Sequence, residues 1–263
     1  MNSKEMDTRF WGPSGWKLLH VATFLYTPKN RQAYHDFFET IPYILPCKYC
    51  RHSLSDYYEK YPLKEALASQ ESLVKWLYQI HNCVNDKLRD QGLTVQANPS
   101  LAKVIEMYHT WINDSTPEQR LSTFWDFLFA VGYNHPKEST KSSKPMENCP
   151  PEANRCSDPC VRNKWNTMSM GQRTKWYKQF WDTFPAVLGF PLSEMVHEAS
   201  QKTKRDLSCR RSTVAWLWRL RCALDSDFKD PYTSVCQRIA SFSSDCGAAK
   251  GRRKTCRKRK PSH

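Results

Sequence analysis

Two short segments of this 263-residue chain carry side chains able to do chemistry. The first is Pro46-Cys47-Lys48-Tyr49-Cys50. A cysteine at a helix start meets unpaired N–H groups and the positive end of the helix dipole, and both favour the thiolate. A three-residue step lets two sulfurs close a strained disulfide that exchanges readily. The same C-x-x-C also begins many zinc sites, which need a second ligand pair. Cys156 and Cys160, with His52 or His20, could supply one, so redox and zinc chemistry stand level on this motif alone. The second segment is His81-Asn82-Cys83-Val84-Asn85-Asp86-Lys87-Leu88. On a helix, His81, Val84, Asn85 and Leu88 share one face. That face offers a ring to stack, an amide to read a polar edge and apolar atoms to seal a cofactor. Asn is a poor helix former, and two of them inside an amphipathic helix imply side chains with partners.

The elements that must hold these residues read as helices. Apolar periodicity predicts helices at Ser14–Tyr26, Asn30–Leu45, Cys47–Tyr58, Gln70–Arg89 and Pro99–Trp111. β-branched alternation is scarce, so the expected class is all-α: a four- or five-helix bundle over residues 1–115. Residues 134–164 are rich in Pro, Ser, Lys and Asn and read as an exposed insert. Helical signals return at Met170–Leu188, Pro191–Lys204 and Ser212–Leu224, and residues 226–263 weaken toward a tail.

A degenerate repeat links the two stretches. YHDFFETIPYIL (Tyr34–Leu45) matches YKQFWDTFPAVL (Tyr177–Leu188), and SLVKWLYQIHNCVN (Ser72–Asn85) matches STVAWLWRLRCALD (Ser212–Asp225). More weakly, WKLLHVA (Trp16–Ala22) matches WDFLFAV (Trp125–Val131). The implied organisation is a second, altered bundle over residues 116–245, followed by a basic tail over 246–263. The second copy lacks the chemistry. Residues 189–193 read Gly-Phe-Pro-Leu-Ser where the cysteines should be, and Arg221-Cys222-Ala223-Leu224-Asp225 replaces His-Asn-x-Val-Asn.

Composition narrows the alternatives. The formal charge is +14, but the eight Lys/Arg after Cys246 leave only +6 for the rest of the chain. Nucleic-acid binding is therefore expected only through the tail, KGRRKTCRKRK. Thirty-four aromatic residues, ten of them Trp, exclude disorder over the whole chain. None of the eight glycines falls in a Rossmann or P-loop spacing. No apolar run has the length of a membrane span, and the first residues do not resemble a signal peptide. The eleven cysteines, an odd number, are then expected in a reducing compartment, where they serve as buried thiols, metal ligands or redox groups.

Taken in order, Trp-Gly-Pro-x-x-Trp-x-x-Leu-His (Trp11–His20), Pro-Cys-x-x-Cys (46–50) and His-Asn-x-Val-Asn-x-x-Leu (81–88) resemble the Erv/ALR family of FAD-linked sulfhydryl oxidases. The short opening is most similar to members encoded by large DNA viruses. The resemblance covers roughly residues 9–112 and implies a helical bundle that holds FAD. It implies that Cys50 lies against the flavin and that Cys47 exchanges with incoming thiols. Oxygen would reoxidise the flavin and give hydrogen peroxide. Gly12, Trp16, His20 and Tyr26 match positions near FAD. His81, Asn82, Val84, Asn85, Lys87 and Leu88 match the helix on its adenine and ribose side. No metal is implied.

The chain also departs from the cellular members. Pro13 stands where they carry an arginine, for which Arg9 or Lys17 could compensate, and no cysteine lies between Cys83 and Cys149. The implied partners are cysteine-containing protein substrates, with a thioredoxin-like carrier among the options, and a second copy in a homodimer. Cys156/Cys160 are the first choice for a shuttle pair and Cys246/Cys256 the second. The implied location is the cytoplasm of a host cell, in a virus factory or the virion.

Overall fold

The computed structural model describes residues 6–93, 95–136 and 170–243. The insert cysteines Cys149, Cys156 and Cys160 and the tail cysteines Cys246 and Cys256 lie outside the described residues.

Besides two short 3-10 helices, the described residues hold twelve α-helices, with no strand among them. In the first half these are α1 (Thr8–Leu25), α2 (Arg31–Ile44), α3 (Lys48–Lys60), α4 (Leu63–Ala66), α5 (Gln70–Asp90) and α6 (Leu101–Asp114). The second half has α7 (Pro117–Ser122), α8 (Trp125–Tyr133), α9 (Met170–Thr183), α10 (Leu192–Lys202), α11 (Arg210–Leu224) and α12 (Tyr232–Ser241). None is long and apolar enough to cross a membrane.

Local chemistry sets the helix starts. The Asp7 carboxylate accepts from Arg9 N and begins α1 six residues before the periodicity does. Ser69, Ser100 and Thr116 cap α5, α6 and α7 in the same way. Residues 226–245 depart from the sequence reading. They hold α12, where Tyr232, Val235, Cys236 and Ile239 recur at i, i+3, i+4 and i+7 with Val235 and Ile239 buried, a short helical period that the sequence reading passes over in a stretch it gives to the start of a tail.

Both halves share one apolar core, and equivalent residues of the repeat meet across it. Helix α1 packs on α8, and α2 packs on α9. Phe37 and Phe180, matching positions, stack with centroids 5.5 Å apart. Tyr177 Oη donates to Ile44 O at 3.2 Å, and Tyr34 Oη reaches Val187 O at 3.5 Å, so the two contacts are reciprocal. Within each half the matched aromatic pairs also repeat. Phe38 meets Trp76 edge-on at 5.4 Å, and Trp181 meets Trp216 edge-on at 5.3 Å. A contact in which residue i touches j and the counterpart of j touches the counterpart of i is the signature of an isologous, two-fold interface. Here it lies inside one chain.

Candidate functional site

Cys47 is the N-cap of α3, in extended conformation, and its Sγ accepts from Cys50 N at 3.3 Å. The C-x-x-C therefore occupies the cap and third position of a helix start, where backbone donors favour sulfur anions. Cys50 is half-buried and borders a cavity of about 340 Å³. That size falls within the ~300–1,000 Å³ range of small-molecule sites. Cys47, expected to meet incoming thiols, is only 1% exposed, because the turn from α2 into α3 tucks the cap residue inward.

Helices α1, α3 and α5 build most of the rest of the cavity wall. From α5 come His81, Val84, Asn85 and Leu88, the expected face, together with Lys87. From α1 come Gly12 and Trp16, and Trp16 stacks on His81 at 3.8 Å with the rings 8° from parallel. From α3, Ser53 Oγ accepts from Lys87 Nζ at 2.5 Å and ties α5 to α3. Asn85 Nδ2 donates to Asn98 Oδ1 at 2.9 Å, which fixes the amide inside the helix at the cavity edge.

His20 lies behind this wall, its Nε2 at 3.0 Å from His81 Nδ1. Burial pushes His20 down to about 3, with the neighbouring His81 adding to the effect, and burial pushes His81 down to about 4. Both rings are therefore neutral, and one nitrogen of the close pair donates while the other accepts.

Besides Cys47 and His20, two more of the expected residues stand off the cavity. Tyr26 is core: its hydroxyl donates to Leu67 O at 2.7 Å, and it is absent from the cavity lining. Asn82 is half-buried on α5 and also does not line the cavity. Sequence reasoning missed Ser53, Leu54, Trp11 and Phe127. Phe127 comes from α8 in the other half, which no local pattern could have signalled.

The lining fits a flavin. It is mostly apolar, with flat aromatic walls, one sulfur and a lysine. A Cβ on Gly12 would meet nothing within 4 Å, so the backbone there leaves room for a ligand. Trp11 Nε1, on a lining residue, is a buried donor with no partner among the described residues, and such an atom suits a polar cofactor edge.

The matching place in the second half is built differently. Arg221 takes the position of His81, lying 5.6 Å from the Trp125 ring, 3.9 Å from the Phe228 ring and 3.5 Å from Asp225 Oδ2. Arg238 of α12 pairs with Asp126 there at 2.7 Å. Among the described residues, the only group with metal-ligand spacing is His35, Asp36 and Glu39, which contains no cysteine.

The chain belongs to the Erv1/Alr family. The family model matches residues 13–107. A probable FAD-linked sulfhydryl oxidase of Acanthamoeba polyphaga mimivirus is 35% identical over 128 residues, which cover 47% of this chain and 83% of that protein. A putative FAD-linked sulfhydryl oxidase of Invertebrate iridescent virus 3 is 28% identical over 95 residues, covering 35% and 64%. The mitochondrial FAD-linked sulfhydryl oxidase of Saccharomyces cerevisiae is 33% identical over 89 residues, covering 32% of this chain and 45% of its own length. No solved structure matches the chain.

Proposed function

We infer that this chain is an FAD-dependent thiol oxidase, converting pairs of thiols to disulfides with oxygen as the acceptor. The observation that carries the reading is Cys50 opening onto an apolar cavity walled by Trp16 and the His81-Val84-Asn85-Leu88 face. FAD, when bound, accepts two electrons from the cysteine pair and delivers them to oxygen, giving hydrogen peroxide. Residues of the chain do the rest. A substrate thiolate attacks Cys47 Sγ of the oxidised pair, the S–S bond breaks, and Cys50 leaves as a thiolate facing the cavity. A second substrate thiolate attacks the mixed disulfide at the substrate sulfur and releases Cys47. Cys47 receives a hydrogen bond from Cys50 N, which lowers the cost of its anionic form. Trp16, His81, Val84, Asn85 and Leu88 wall the cofactor and exclude water. Lys87, held by Ser53, places a positive charge where a reduced, anionic flavin gains from it. Gly12 leaves space for the cofactor, His20 orients His81, and Asn82 supports the same helix.

The substrates are cysteine-containing proteins, and a thioredoxin-like carrier suits them. The second half is a degenerate copy without cofactor chemistry. Its α8 and α9 pack on α1 and α2, which takes those faces away from any contact between chains; we propose that the chain works as a monomer, the homodimer through another surface being the alternative. A virus factory or virion fits the chain's viral relatives.

The test is spectroscopic. The purified chain is expected to be yellow and to consume oxygen with dithiothreitol. Cys50→Ser should keep its flavin and lose turnover by at least a hundredfold. A colourless protein with stoichiometric zinc would sink the reading.

A further inference from the structure

The strap that delivers Cys47 is held from three directions. Ile44, Leu45 and Pro46 run from the end of α2 into Cys47, and each carbonyl accepts a hydrogen bond from a different part of the chain. Tyr177 Oη donates to Ile44 O at 3.2 Å, Arg51 Nη1 to Leu45 O at 2.6 Å, and Met6 N to Pro46 O at 3.0 Å. Met6 is itself fixed by an antiparallel bridge to Ser243, beside Asp7 N donating to Phe242 O at 3.0 Å. Tyr177 is fully buried, Arg173 Nη2 donates to its oxygen at 3.3 Å, and the His135 ring packs edge-on at 5.1 Å. Of the three donors, Tyr177 comes from α9, in the half without flavin chemistry.

The carbonyls at a helix C-terminus carry the negative end of its dipole and have no partner within the helix. Ile44 ends α2 three residues before Cys47, so an unquenched C-terminus there puts the negative end of the dipole close to the residue that has to become a thiolate. A donor on Ile44 O removes part of that field. It also fixes the strap, so that Cys47 Sγ stays where Cys50 N can reach it.

We propose that Tyr177 is a positioning residue for the redox pair, so that the second half sets the reactivity of Cys47 through the Ile44 carbonyl. The proposal rests on the reading of Cys47 and Cys50 as the redox pair. It gives the altered half a task in the reaction beyond filling an interface.

The internal two-fold supplies the control. Tyr34 Oη reaches Val187 O, the counterpart of Ile44 O, and Val187 leads into Gly189-Phe190-Pro191-Leu192-Ser193, which has no cysteine. Tyr34→Phe therefore removes the matching hydroxyl from the matching place without touching the strap. Tyr177→Phe and Tyr34→Phe are made in the full chain. Flavin absorbance and melting temperature are recorded first, followed by oxygen uptake with dithiothreitol. The pH dependence of iodoacetamide labelling is then followed on the peptide containing Cys47 in the reduced protein.

Tyr177→Phe is expected to keep its flavin, to lose about three- to tenfold in turnover, the effect of one buried hydrogen bond, and to label Cys47 only at higher pH. Tyr34→Phe is expected to match the wild type in turnover and labelling. A wild-type turnover and labelling profile for Tyr177→Phe, or an equal change in Tyr34→Phe, overturns the proposal. If Tyr177→Phe does not fold, Arg173→Met keeps Tyr177 and removes the donor to its oxygen; a shift of Cys47 labelling to higher pH is expected, and unchanged turnover and labelling overturn the proposal. Failure of the underlying redox reading looks different, because the wild-type chain itself would then take up no oxygen.

Discussion

The His20–His81 pair makes the stability of this protein depend on pH in a calculable way. Both rings titrate near 6.5 in an unfolded chain. In the folded chain burial holds them down at about 3 and about 4. Below pH 6.5 the unfolded chain binds protons that the folded one refuses. Stability is therefore complete above pH 7 and falls as the pH drops through 6.5 toward 4. Each ring costs about 1.4 kcal/mol per pH unit in that window, so the pair removes roughly 4 kcal/mol between pH 7 and pH 5. His20→Phe isolates the effect. Phe129 already occupies the matching position in the second half, buried and packed on Trp125. Urea unfolding at pH 7, 6 and 5, with protein and FAD concentrations fixed, reads the result. The variant is expected to lose roughly 2 kcal/mol less than the wild type over that range, whatever its stability at pH 7. Parallel curves for the two proteins would refute the argument, since the buried pair would then not be the source of the slope.

Other outcomes follow from single contacts. Lys87→Met removes the charge held by Ser53 and should weaken FAD binding about tenfold, measured by flavin fluorescence on titration, while the melting temperature of the flavin-free protein stays close to wild type. Gly132→Ala puts a Cβ 2.5 Å from Leu217 Cδ1 and should cost about 1–3 kcal/mol in thermal unfolding. Leu217→Val in the same chain should return part of that loss; no recovery would show that the clash is not the cause. Light scattering coupled to size exclusion should give the mass of one chain, 30.9 kDa, independent of loading concentration. A stable dimer mass would mean that a surface other than α1 and α2 pairs.

Much of the candidate site was legible because local spacing joins its residues. Cys47 and Cys50 announce themselves by a three-residue step. His81, Val84, Asn85 and Leu88 announce themselves by one helix face, which is the face on the cavity. What stayed hidden depends on tertiary partners. Ser53 is an ordinary helical serine until Lys87 reaches it from α5. Phe127 enters the cavity from another part of the chain. Tyr26 has the right residue type near the right position, but Leu67 O claims its hydroxyl. The depth of Cys47 follows from the packing of the α2–α3 turn, to which its own sequence neighbours give no clue. Helix α12 does carry a period, Tyr232, Val235, Cys236 and Ile239, but it lasts only ten residues and precedes a basic tail, so the stretch reads as part of the weakening tail.

The reciprocal Tyr34 and Tyr177 contacts have a consequence for how such a molecule can change over generations. In an assembly of two identical chains every substitution is made twice, once on each side of the axis, and both sides must tolerate it. Joining the halves in one chain lifts that restriction. One copy of the His81 position can become Arg221, and one copy of the His20 position Phe129, while the originals stay under their own constraint. The covalent link also removes dilution as a threat, because the halves meet at a fixed effective concentration however scarce the protein becomes. Asymmetry of this kind is open to a linked pair and closed to a symmetric one.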